Sequence, residues 1–311
     1  MWRLARVPRA AVAAAAAGAG TGPGPGPGGG GGGWYEWAAS SQPVHWAEGG
    51  LAALQAATGL PWWAAIAGGA ALLRTTVTLP LAAHQGQLLA KLENLQPEIK
   101  GLAERLRYEV SVRGKQLGWS EKVARFHFKK NLRRVVTELY IRDNCHPFKA
   151  TLLVWVQIPV WVCVSLALRN CSVGALGSEV QEQFSSGGAL WFTDLTAPDS
   201  TWILPVFLGL VNLLIVEMFA SQKKMPVSRF QKLVTNLFRV VSVVMIPVAA
   251  TVPSSMALYW LSSSLVGLSH NLLLRSPAFR RLCRIPRTKS DSATPYRDMA
   301  AALAAKYGFR K

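Results

Sequence analysis

The chain has 311 residues, half of them hydrophobic, and a formal net charge of +18 from 34 Lys and Arg against 16 Asp and Glu. A composition this apolar and this basic excludes an ordinary soluble domain and points to a basic membrane protein. Clustered basic charge also suits nucleic acid, but here the charges lie between apolar segments, so membrane topology is the first explanation.

The first residues, MWRLARVPRAAVAAAAAGAG, set Arg3, Arg6 and Arg9 among small apolar residues, with no acid before Glu36. This is the composition of a mitochondrial presequence. A secretory signal is the alternative, because the alanine run resembles its apolar core. The tract TGPGPGPGGGGGGW that follows cannot bury a core and reads as a linker, so 1–33 is assigned to presequence and linker. Residues 34–59 are rich in Trp and end at an apolar run, which predicts an amphipathic helix lying in the membrane interface.

Five apolar segments follow, each near the ~20 residues that cross a hydrocarbon core: about 60–83, 148–168, 202–220, 233–250 and 255–274. The first opens on Pro61-Trp62-Trp63, a helix start with an aromatic anchor, and the last two are separated only by Thr251-Val252-Pro253. The connection after the first segment carries Lys91, Lys100, Arg105, Arg107, Arg113, Lys115 and several more basic residues. The next one, about 170–201, has no Lys or Arg but holds Glu179, Glu182, Asp194 and Asp199. Lys223, Lys224, Arg229 and Lys232 follow the third segment, and a basic tail, 276–311, follows the fifth. All basic connections share one side only with five spans and the N-terminus outside; in a mitochondrion the basic side is the matrix and the N-terminal side the intermembrane space.

The first basic connection, 86–146, has internal pattern. Leu92, Leu95, Ile99, Leu102, Leu106 and Val110 recur at three- and four-residue steps, and Val123, Phe126, Leu132, Val135, Val136 and Leu139 do the same beyond a turn at 114–118, with Ser120 placed as an N-cap. This predicts an antiparallel pair of amphipathic helices. The fold class expected is therefore all-α and polytopic: five transmembrane helices, a basic helical hairpin and an interfacial helix.

No Ser-His-Asp, phosphate-loop or zinc-ligand pattern is present, so neither an enzyme nor a cofactor or metal is expected. The four cysteines form no CxxC pair and share no repeated spacing with the five histidines; Cys163 and Cys171 read as packing residues. What stands out is Arg74, inside ALLRTTVTLP, in an apolar run. An ionisable residue in a span costs on the order of 2.5–3.5 kcal/mol on insertion scales and normally faces a partner, a cavity or water. The bland alternative is snorkelling, yet roughly nine residues at about 1.5 Å each lie between Arg74 and the end of its span. Gln157 in VWVQIPVW is equally out of place in lipid, and Asn212, Glu217 and Ser262, Ser263 and Ser264 add polar groups on other spans. Together they suggest a wet interior, though Asn212 and the serines fit interhelical hydrogen bonding better than ligand contact.

These residues resemble the YidC/Oxa/Alb membrane protein insertases. LLRTTVTLPL is similar to that family's first core span, QIPVWVCVSLALR to its second, DLTAPDSTWILP to the loop entering its third, and VPSSMALYWLSSSLVGLSHNLLLR to its fifth. NLQPEIK, RDNCHPFKAT and RIPRTKSDSATPY resemble the mitochondrial branch of the family that serves cytochrome c oxidase assembly. The resemblance implies a hydrophilic groove open to the matrix side and to lipid, with Arg74 and Gln157 at the positions that face it and contact acidic client segments. It further implies a hydrophobic client, cytochrome c oxidase subunit II, whose C-terminal tail is exported from the matrix. The tail after Arg275 lacks the sustained heptads of the family's ribosome-binding tails, which favours insertion after synthesis. No nucleic acid is expected as a partner. The rival readings are a structural assembly factor that docks oxidase subunits without translocating anything, and a transporter or channel, for which internal repeats or paired broken helices are missing.

Overall fold

A computed structural model describes residues 33–221, 229–288 and 290–308; the presequence and linker up to residue 32, and the basic residues Lys223, Lys224 and Lys289, lie outside the described residues. The elements are helical: α1 (Gly33–Ala39), α2 (Gln42–Thr58), α3 (Trp62–Leu73), a π-helical turn (Arg74–Thr78), α4 (Leu79–Gln116), α5 (Glu121–Arg142), a 3-10 turn (Pro147–Thr151), α6 (Leu152–Ser172), α7 (Ser178–Ser185), α8 (Ile203–Ser221), α9 (Arg229–Thr251), α10 (Ser254–Leu273), α11 (Pro277–Leu282) and α12 (Pro295–Tyr307).

Four stretches among the described residues are long and apolar enough to cross a membrane: Trp62–Gln116, Phe148–Ser172, Ile203–Ala220 and Gln231–Thr251. The fifth apolar segment of the sequence forms α10, a helix of 20 residues that is more polar because Ser262, Ser263, Ser264, His270 and Asn271 interrupt its leucines.

The first predicted span does not stop near residue 83. Helix runs without a break from Trp62 to Gln116, 55 residues; Pro80 follows the π turn directly and is taken into the helix without ending it. The π turn inserted just before it carries the register: the Leu79 amide donates to the Arg74 carbonyl, five residues back. The Thr76 hydroxyl satisfies the Leu72 carbonyl at 2.8 Å. Pro97 is likewise taken into α4.

Beyond residue 116 the chain turns, with Ser120 extended at the N-cap of α5. Leu88 and Leu95 on α4 bury with Leu139, Cys145 and Ala150, flanked by Leu92, Ile99 and Val135, so α5 returns along α4. Arg142 forks onto both carboxylate oxygens of Glu98 at 2.9 Å each and reaches Asp143 at 2.9 Å.

The main core joins Ile66 and Ala70 of α3, Leu168 and Cys171 of α6, Leu204 and Leu208 of α8, and Met256 to Trp260 of α10. Lipid gives helices no hydrophobic reason to associate, so small and polar residues should hold them. They do: the Trp260 indole donates to Ser165 at 2.9 Å, Ser172 and Ser255 share a hydrogen bond of 2.8 Å, and Ser264 donates to Asn212 at 2.9 Å.

The acidic connection, 173–202, packs onto the ends of α3 and α10. Trp63 donates its amide to Gly187 at 3.0 Å, and the amides of Ser254 and Ser255 donate to the carbonyls of Ala197 and Leu195. The buried carboxylate of Asp199 accepts from the Thr201 amide and hydroxyl and from the Leu204 amide at 2.8 Å, which caps α8. Burial raises its affinity for a proton, but those hydrogen bonds win and hold the carboxyl below its ordinary range. A depressed carboxyl stabilises the fold above the unfolded-state value near 4 and stops doing so as pH falls through the folded value. Asp199→Ala is therefore expected to cost about 1 kcal/mol at neutral pH, read as a lower Tm. The gap to the unsubstituted protein should narrow when melts are repeated in acid.

Candidate functional site

Arg74 and Gln157 line one cavity of about 210 Å³ between α3–α4, α6 and α10, together with Thr78, Ala82, Val154, Gly267, His270 and Asn271. Arg74 opens the π turn, and its half-buried guanidinium is aimed sideways at α10, where Nε donates to Ser263 Oγ at 2.6 Å. That direction is across the bundle, not along α4 toward the basic end as snorkelling would require. Gln157 does not bond Arg74; its Oε1 accepts from the Thr78 hydroxyl at 3.2 Å. The two residues thus share a cavity through different neighbours.

No carboxylate lines this cavity among the described residues. The guanidinium has five N–H donors, of which the one on Nε goes to Ser263; its charge is met by dipoles and not by a counter-ion. Chemically the space offers hydrogen-bond donors and one positive charge to a polar or acidic group.

Sequence reasoning missed His270 and Gly267. His270 Nε2 is 3.3 Å from Thr75 Oγ1, while its buried Nδ1 has no partner among the described residues. The available signal was spacing: Ser263, Gly267 and His270 stand four and three residues apart, one face of a helix. Of the other polar span residues, Glu217 is not among those lining this cavity and bonds Arg239 at 2.6 Å and Lys306 on α12, and Asn212 is taken up by Ser264.

A larger recess, about 390 Å³, is lined by Lys91, Asn94, Leu95, Glu98 and Asp143. Its carboxylates are already engaged by Arg142, so it reads as an ion-paired surface between helices. No group of three or more His, Cys, Asp or Glu that could hold a metal occurs among the described residues.

The family described as 60Kd inner membrane protein matches residues 53–280, a stretch that contains every residue of the Arg74 cavity. Cytochrome c oxidase assembly protein COX18, mitochondrial, of Mus musculus is 64% identical over 281 residues, covering 89% of this chain and 85% of that protein. The protein of the same name from Homo sapiens is 62% identical, covering 89% of this chain and 84% of its own length. Mitochondrial inner membrane protein OXA1 of Arabidopsis thaliana is 32% identical over 229 residues, 74% of this chain and 48% of that protein. With a match across most of its length and relatives this similar, the chain belongs to the 60Kd inner membrane protein family, the YidC/Oxa1 family.

Proposed function

We propose that this chain is a multi-pass insertase of the mitochondrial inner membrane that exports the C-terminal tail of cytochrome c oxidase subunit II to the intermembrane space. In this reading α10 is the fifth span, and the segment 34–59 lies on the intermembrane-space side. The basic region 86–146 and the tail 276–311 lie in the matrix, and Arg74 and Gln157 meet the client. The names and high identity of the COX18 relatives support the oxidase connection. The observation that carries the translocation reading is Arg74: a half-buried positive charge, bonded to Ser263, in a cavity that no carboxylate lines among the described residues.

A polar tail crossing a bilayer must shed water, and each charge moved into hydrocarbon is expensive. A cavity that brings a fixed cation and hydrogen-bond donors into the bundle shortens the apolar barrier and pairs transiently with an acidic side chain. The membrane potential acts in the same direction: ~2.3 kcal/mol per charge per 100 mV drives negative groups out of a negative matrix.

The test is photocrosslinking in intact mitochondria from probes placed at Ala82 and Val154, which line the cavity. Newly made subunit II should be captured there and not from Val243, an exposed position on α9. Equal capture from all three positions, or capture with no tail translocation, would favour the non-translocating assembly factor instead.

A further inference from the structure

We propose that Ser263 and Gly267 on α10 form a seat that positions the Arg74 guanidinium, with Gly267 setting how far it projects into the cavity; this deepens, and rests on, the insertase reading of that cavity. The two residues are four apart on one helix face. Ser263 is buried, 2% exposed, and accepts from Nε at 2.6 Å. Gly267 supplies the second point: a Cβ there would stand 2.8 Å from one terminal nitrogen of Arg74 and 3.5 Å from its Cζ. A guanidinium is planar, so a hydrogen bond at Nε and a surface under one terminal nitrogen fix both its plane and its depth.

The competing explanation is that Gly267 is only a small residue letting two helices approach. Gly209 on α8 shows what that looks like, for a Cβ there would strike the Ile246 side chain at 2.4 Å and come within 3.4 Å of the Ser242 carbonyl. Around Gly267, by contrast, the only atoms of the described residues that a Cβ would meet within 4 Å, outside its own helical turn, belong to Arg74. The obstructed atoms are the far end of a flexible side chain, so added bulk moves the guanidinium and leaves the helices where they are.

The seat predicts a coupling that simple packing does not. In melts of the purified full-length chain in lipid nanodiscs, Gly267→Ala should raise Tm by about 2 °C on an Arg74→Ala background. The space is vacated there and Ala is the better helix former. On the Arg74 background the gain should be clearly smaller or negative; equal shifts on both overturn the seat. In mitochondria, Gly267→Val at unchanged protein level should lower the fraction of exported client tail by about five-fold, and Gly267→Val added to Arg74→Lys by less than about two-fold. The same factor on both backgrounds also overturns it. If Arg74→Ala itself leaves export untouched, the insertase reading fails while the melts still decide the seat.

Discussion

Arg74→Glu is expected to reduce export of the client tail by about 30-fold, which is about 2 kcal/mol on the crossing barrier. Reversal acts twice. It removes the Lys or Arg charge that the described cavity residues supply, and it sets a carboxylate facing an acidic client, where like charges in a partly dry site repel more strongly than in water. It also replaces the Nε donor to Ser263 with an acceptor. Arg74→Lys should retain part of the activity, since an ammonium keeps the charge but lacks the planar fork that Ser263 and Gly267 hold. The measurement is protease accessibility of the subunit II tail in mitoplasts, with client association scored separately by co-purification. Accessibility unchanged in Arg74→Glu would sink the mechanism, and association kept while export fails is the pattern the cavity predicts.

Gly188→Ala should be the most damaging small substitution for stability, costing about 3 kcal/mol, the upper end of what overpacking usually does. Gly188 sits in a tight turn closed by its amide on the Thr193 carbonyl at 3.0 Å and by Ala189 on Phe192 at 3.1 Å. A Cβ there would stand 1.9 Å from the Phe192 carbonyl oxygen and 2.5 Å from that of Thr193. These are backbone atoms, with no side chain to swing aside. The turn cannot open quietly, because the neighbouring Gly187 carbonyl holds the Trp63 amide and Trp62 packs on Phe184 with ring centroids 4.6 Å apart. Gly68→Ala is the control, since a Cβ there meets nothing within 4 Å and Ala suits a helix better than Gly. Thermal unfolding of the two purified variants should separate them by several degrees, and a Gly188→Ala protein that melts with Gly68→Ala would contradict this account of the turn.

The helices were legible because long apolar runs bounded by Pro, Gly and charge have few other uses. Ser120 could be placed at the start of α5, and α8 begins beside Trp202 as its apolar run does. Arg74 and Gln157 were legible for the opposite reason: each breaks the apolar rule around it, and the structure puts both on one cavity. What could not be read is what depends on phase and on distant partners. The π turn at Arg74–Thr78 shifts the face on which every later residue of α4 stands, and nothing in RTTVT announces an extra residue in a turn. Gly267 is one glycine among 27, distinguished only by which side chain fills its missing Cβ. The acidic connection was read for topology, yet Asp199 is spent on capping α8.

The unbroken helix from Trp62 to Gln116 makes Arg74 part of a lever. With 1.5 Å of rise per residue, the far end of α4 lies ~60 Å from Arg74, against an α3 arm of ~18 Å. A tilt of about 5° about the π turn sweeps that far end through about 5 Å while the guanidinium, ~6 Å from the helix axis, moves about half an ångström. Anything that tilts the basic end of this rod therefore acts on the Arg74 guanidinium as well.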